Sequence, residues 1–290
     1  MIPRLLKSVV LIGSLWLASC GDPFVPESDW PEASPAIWEL KAPSGEKGWI
    51  FGTVHALPDD LYWGTPLLDE TYGNAGVVVV EVANLDDPAG MGLFADLSET
   101  PGQPPLLDRV EPDERPALRE LIEDADMTGT DFGRVESWAA AMMLSGEVRT
   151  GDPANGVDRV MIHNADEVIG LESFAAQLGM FDTLSQAAQS DLLYGVARSH
   201  EANSDQEMLI AWLTGDETVL ASHVNNSLEF SPELRRVLLT ERNARWVPRI
   251  AELIEAGRRP FVAVGAGHVI GDEGVVAMLD RRGYEVRRIQ

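Results

Sequence analysis

The chain holds one cysteine, Cys20, in 290 residues. A single thiol forms no internal disulfide and no zinc–thiolate cluster, and once modified it is no nucleophile either. Cations are scarce as well: 22 Lys and Arg stand against 47 Asp and Glu, a formal charge of −25. So acidic a surface argues against nucleic acid and anionic lipid as partners and favours solubility. Beyond the opening residues no run is long and apolar enough to cross a membrane. There is no P-loop, no dinucleotide Gly fingerprint after a first strand, no Gly-x-Ser-x-Gly elbow and no repeat at solenoid spacing. His200-Glu201 starts a His-Glu-x-x-His helix, but position 204 is Ser.

The opening residues carry an address. Arg4 and Lys7 precede an apolar stretch, residues 9–17, and Leu17-Ala18-Ser19-Cys20 reads as a bacterial lipobox. The expectation is a signal peptide over 1–19 and a lipid on Cys20, which holds the protein at a bacterial membrane on its periplasmic face or at the cell surface. Gly21, rather than Asp, follows Cys20 and leans toward the outer membrane. Residues 20–35, rich in Pro, Ser, Glu and Asp, read as a tether, leaving 36–290 as one domain.

Within that domain, residues 36–40 and 48–54 are apolar around Pro43-Ser44-Gly45-Glu46-Lys47, a hairpin signal. Residues 66–72 read as a helix and 77–82 as a strand buried on both faces. Residues 84–108, full of Asp, Gly and Pro, read as a loop or excursion. From 111 to 257 the pattern is mostly helical: 112–125, 136–144, 156–164, 184–202, 205–215 and 232–257, with a short apolar return to the sheet at 168–171. A second buried strand, 261–264, a helix, 274–282, and a closing strand, 284–289, follow. The fold class expected is α/β, with a central mixed sheet built from N- and C-terminal strands and a largely helical middle insertion.

Two Gly-x-x-His elements stand out. Gly52-Thr53-Val54-His55 ends the early strand, and Gly265-Ala266-Gly267-His268 ends the late one. Polar groups at the ends of buried strands are held rigidly at a cleft, although a single His there is commonly a hydrogen-bonded structural residue. Glu81 and Glu172 each follow an apolar run and require a partner, a ligand or a solvated cleft. Arg242 lies in the stripe Leu234, Leu238, Trp246, Ile250 and Leu253 of the 232–257 helix. A guanidinium there must snorkel or find carboxylate or backbone partners, with Glu81 and Glu172 the obvious ones. His163, His200 and His223 read as surface residues, and Trp138, Trp212 and Trp246 as core.

Taken in order, the 50–55 segment, the 77–81 run, Gly170-Leu171-Glu172-Ser173, Glu241-Arg242-Asn243 with Trp246, and the 264–268 segment with Gly271 resemble the TraB/GumN family. That family includes the pheromone-shutdown proteins and the Tiki proteases, the latter described as metal-dependent peptidases. The resemblance implies a site formed by His55, His268, Glu81, Glu172 and Arg242. More distant erythromycin-esterase-like and haem-binding relatives show that fold alone does not fix function. Haem is disfavoured here, since there is no c-type attachment motif.

The first expectation is therefore an extracytoplasmic, metal-dependent, peptidase-like hydrolase. His55, His268 and Glu81 would ligate Mn, Co or Zn, Glu172 would act as general base, and Arg242 would hold the carboxylates or stabilise an oxyanion; the two Glu could exchange roles. Two alternatives stand beside it. One is a surface lipoprotein that binds and sequesters a peptide or signal without cutting it. The other is a metal-independent, esterase-like hydrolase with a His as base.

Overall fold

Four consecutive valines, Val77–Val80, all buried, form a strand that carries no polar face. Such a strand is stable only inside a sheet covered on both sides. The computed structural model describes residues 30–85, 88–202, 204–228 and 230–290, and supplies that sheet. Its strands are β1 (Ile37–Lys41), β2 (Lys47–Thr53), β3 (Val77–Val80), β4 (Val168–Gly170), β5 (Pro260–Gly265) and β6 (Glu285–Arg288). The order is β4-β3-β5-β2-β1-β6. β4, β3, β5 and β2 run parallel to one another, while β1 is antiparallel to both β2 and β6. The sheet is mixed and joins early strands to late ones: Phe51 lies opposite Ala263, and Val79 opposite Val262. Cys20 and the lipobox lie outside the described residues.

β1 and β2 form the expected hairpin, with Trp38 opposite Ile50 and Gly45 at φ +97 in the turn. A side chain at that φ is strained, which is why the turn uses Gly. Residues 30–35, at the end of the tether segment, lie against the domain; the Ser34 amide donates to the Leu213 carbonyl at 2.8 Å.

The helices are α1 (Pro66–Gly73), α2 (Pro88–Ser98), α3 (Arg115–Asp124), α4 (Ser137–Val148), α5 (Val157–Asn164), α6 (Phe174–Asp182), α7 (Gln186–Glu201), α8 (Ser204–Thr214) and α9 (Glu217–Leu228). They continue with α10 (Pro232–Leu234), α11 (Glu241–Glu255), α12 (Ala266–Val269) and α13 (Val275–Arg281). One core lies on the sheet, around Phe51, Trp212, Ile250 and Phe261. A second, around Leu118, Leu121, Phe132, Leu144 and Leu193, belongs to the helical middle region.

Three details differ from the sequence expectation. The 84–108 stretch contains the helix α2, whose Leu93, Phe94 and Leu97 pack around Trp138 and Leu178; the Phe94 and Trp138 rings meet edge to face at 5.5 Å. Partial burial of those three residues outweighs a flank rich in turn formers. Helices α6 and α9 add to the helical middle. The 232–257 helix is not uniform: Arg235–Thr240 is a π segment, in which the Glu241 amide donates to the Arg236 carbonyl five residues back. Wide turns of this kind re-aim the side chains that follow and often lie beside functional groups.

Candidate functional site

All four parallel strands end at one edge of the sheet, and each carries a polar residue just past its carboxyl end. His55 follows β2, Glu81 follows β3, Glu172 follows β4 and His268 follows β5. α11 brings Arg242 to the same place. The five residues singled out from the sequence are thus assembled in one cluster.

Arg242 is the hub. It is 7% exposed, and its Nη2 donates to Glu81 Oε2 and Glu172 Oε1. Its Nε donates to Glu172 Oε2 at 3.4 Å, and its Nη1 to His268 Nε2 at 3.0 Å and to the Leu238 carbonyl at 3.4 Å. The guanidinium carbon lies 4.6 Å from the Trp246 ring centroid, one helical turn along α11. The core-facing position is therefore met by partners and not by snorkelling. Removing one member of such a buried pair costs about 3–5 kcal/mol, because the other charge is left without compensation.

His268 is 8% exposed and held on both nitrogens. Asn243 Oδ1 lies 2.7 Å from Nδ1, and an amide oxygen only accepts, so Nδ1 carries the proton and Nε2 accepts from Arg242. Burial drives the His268 pKa down to about 4, against the pull of Glu81 and with the push of Arg242 and His55. It is a neutral imidazole near neutral pH. Burial pushes Glu81 up, but the charges of His268, Arg242 and His55 and the amide of Gly265 outweigh it and hold the carboxyl at about 2. Of these, the Arg242 charge and the Gly265 amide, at 2.8 Å from Glu81 Oε1, persist where His268 is neutral.

The two motif glycines make this convergence possible. A Cβ on Gly52 would lie 3.0 Å from the Ala266 Cα, so the first motif is open where the second crosses it. A Cβ on Gly265 would lie 3.1 Å from Glu81 Oε1, 3.7 Å from His268 Cδ2 and 3.9 Å from His55 Nε2. At Gly52 a side chain would crowd the Ala266 backbone, and at Gly265 it would crowd the Glu81 carboxylate.

His55 differs from the other members. Its side chain is 66% exposed, and its Nδ1 lies 3.4 Å from Asp158 Oδ1 in the first turn of α5. The Val157 amide donates to the Val54 carbonyl at 2.9 Å and fixes Asp158 beside the imidazole. The hydrogen bond to Asp158 raises the His55 pKa; desolvation by the protein around the cleft opposes it, and the charges of Asp158 and Glu81 add to it. Its Nε2, on the side facing Gly265, is the ring nitrogen of the two motif histidines that is left open among the described residues.

Sequence reasoning assigns no role to Asp158, Asn243 or Gln177. Asp158 pairs with a residue 103 positions away and sits in an ordinary acidic first helical turn, which leaves no signal. Asn243, fully buried, is flagged only by its place beside Arg242. Gln177 Nε2 reaches Glu81 Oε2 at 3.4 Å from α6, a helix the pattern does not mark. Trp246 is core, as expected, and also a platform for Arg242 and for His268, whose ring lies at 4.6 Å. His200 and His223 pair with Asp124 and Glu207 away from the cluster.

The donor types suit a divalent ion, but their arrangement does not. Among the described residues no group of three His, Cys, Asp or Glu side chains is placed to hold a metal. The lone pair of His268 Nε2 and carboxylate oxygens of both Glu face the guanidinium, so the cation between them is a side chain. His55 Nε2 and Glu81 Oε1 both approach the space at Gly265, while a catalytic ion normally takes three protein ligands.

A model of the TraB/PrgY/gumN family matches residues 36–288. The chain belongs to that family. This TraB/PrgY/gumN member is also similar to the human protein "Metalloprotease TIKI1", with 33% identity over 96 residues. That stretch is 32% of this chain and 18% of the human protein, so the chain spans less than a fifth of that relative's length. No solved structure matches it.

Proposed function

We propose that this TraB/PrgY/gumN protein is a hydrolase of acyl bonds, with peptide bonds the first class to test, and that His55 is its general base. The observation that carries the reading is the contrast between the two motif histidines. His268 is tied at both ring nitrogens, while His55 is tied at one, by a carboxylate, and presents the other to a cleft. A carboxylate on Nδ1 sets the tautomer that leaves Nε2 able to take a proton. In this reading His55 Nε2 removes a proton from water as the oxygen attacks the carbonyl carbon, and returns it to the leaving amine. Asp158 orients the ring. Glu81, Glu172, Arg242, Asn243 and His268 form the rigid, buried base against which His55 and the substrate are positioned.

The human relative's name favours a second reading, in which Mn, Co or Zn takes part. His55, His268 and Glu81 would hold the ion, which would acidify a bound water. That arrangement requires Arg242 to release His268 and Glu81. A non-catalytic, sequestering protein would use the same cleft without turnover.

The experiment is cleavage of a peptide library by purified protein, read by mass spectrometry, before and after chelation and dialysis. Cleavage that survives chelation and is lost in His55→Ala supports the base reading. Loss on chelation, restored by Mn, Co or Zn with stoichiometric metal by elemental analysis, replaces it with the metal. Absence of cleavage of any peptide or ester sinks both and leaves a binding protein. Export and lipid anchoring through Cys20 belong to the same proposal; a Cys20→Ser variant that stays in the membrane fraction would remove them.

A further inference from the structure

A cavity of about 230 Å³ opens beside His55 and is lined in part by Thr53, Arg149, Arg159 and Gln177. Its charges are unequal in their freedom. Among the described residues the two acids that line it are engaged, Glu81 by Arg242 and the Gly265 amide, and Asp158 by His55. Arg159 has a partner of its own. Arg149, at the carboxyl end of α4, makes no ion pair among the described residues; its Nε donates to the Gly146 carbonyl at 3.0 Å, and its two terminal nitrogens have no acceptor among those residues. Arg149 is exposed, so its terminal N–H groups are within reach of a group that enters the cavity.

Thr53 supplies the second observation. It is 2% exposed, two residues before His55, and its hydroxyl has no hydrogen-bond partner among the described residues. A buried hydroxyl without a partner destabilises the fold, and this one belongs to a residue that lines the cavity. A guanidinium with free terminal N–H groups and a hydroxyl that can donate are together the donor set for a carboxylate. Leu85 and Arg159 also line a second hollow, of about 520 Å³, large enough for residues flanking the anionic one.

We propose that this cavity recognises a carboxylate on the substrate, so that the protein acts on acidic peptides, with Asp or Glu held by Arg149 and Thr53 next to the bond presented to His55. The substrate class rests on the hydrolytic reading, whereas the carboxylate site itself is testable without turnover. Charge-assisted hydrogen bonds of this kind set a preference of about tenfold or more over the uncharged amide.

The probe is a set of blocked hexapeptides of Ala and Ser carrying one Glu or one Gln at each position in turn, used on purified protein. Binding is read by calorimetry and cleavage in parallel by mass spectrometry. The expected result is at least one position at which the Glu peptide binds about tenfold tighter than its Gln partner. Arg149→Gln, at an exposed residue, should bring the Glu peptide down to the affinity of the Gln peptide. Thr53→Val should weaken the Glu peptide while raising the Tm, because it removes the unpartnered hydroxyl; a merely structural hydroxyl would leave affinity unchanged. Equal affinity within every pair, or no measurable affinity for any peptide, overturns the carboxylate site. A Glu preference in binding with no cleavage upholds the site and counts against peptide bonds as the bonds hydrolysed. Cleavage with no Glu preference does the reverse.

Discussion

Asn243 and His268 are joined by a 2.7 Å hydrogen bond that decides which nitrogen of the buried imidazole carries its proton. The same amide donates from Nδ2 to the Glu273 carbonyl at 2.8 Å, so one side chain fixes both the ring and the loop that follows it. Asn243→Ala leaves buried donors and acceptors unmatched and should destabilise by about 2–4 kcal/mol. Urea denaturation with an unchanged m-value is the check; a loss under about 0.5 kcal/mol would show that the bond does not matter to the fold.

Arg242 replaced by Met should destabilise by about 3–5 kcal/mol, because Glu81 and Glu172 are then buried without a counter-charge. Adding Glu81→Gln and Glu172→Gln to that variant should recover much of the loss, since the burden lies in the unpaired charges. Arg242→Lys should fall between, as an ammonium lacks the flat fork that spans both carboxylates and His268. If the triple variant is no more stable than Arg242→Met, the cluster is held by something other than its charges.

Acid should weaken the fold before the ordinary carboxylate range is reached. The unfolded chain protonates His268 near 6.5, while the folded chain resists until about 4, so stability falls as pH drops across that window. Glu81 takes over lower down: its contribution is present above 4.5 and is lost as pH falls toward about 2. Each group adds a slope of at most about 1.4 kcal/mol per pH unit. His55, raised above 6.5, acts in the opposite sense, with its contribution present below 6.5 and lost as pH rises through the folded value. Urea midpoints at several pH values should show the fall, and His268→Gln should flatten the upper part of it.

His55→Gln and Asp158→Asn should separate chemistry from folding. The His55 side chain is largely exposed, so His55→Gln should change stability by under about 0.5 kcal/mol while kcat/KM falls about 10²-fold or more. Asp158→Asn should lower the pH at which the acid limb of the rate profile lies, because the partner that raises the His55 pKa is gone. An unshifted limb would mean that Asp158 does not act through the ring.

Much of this site is legible in the sequence, and the physical reason is strand burial. A polar residue just past a run such as Val77–Val80 has few places to go, so His55, Glu81, Glu172 and His268 mark the sheet's edge by residue pattern alone. Arg242 is legible by the reverse logic, as a charge on the apolar stripe of a helix. Asp158 and Asn243 are not, because an acidic first helical turn and an amide in a helix are ordinary until their partners are placed. α2 is hidden by the Gly and Pro around it, although three of its residues anchor the Trp138 core. The π segment at Arg235–Thr240 leaves no mark in composition, since its residues would serve an α-helix as well.

The strand order has a consequence for how the molecule forms. β5 lies between β3 and β2, so until it arrives those two strands have no common neighbour. Glu81 and Gly265, whose hydrogen bond closes the cluster, are 184 positions apart. Contacts this distant in sequence make for slow folding, and they leave valine-rich edges open to wrong pairing while the chain waits. A chain that stops short of residue 260 would therefore hold His55, Glu81, Glu172 and Arg242 but lack the strand that brings them together.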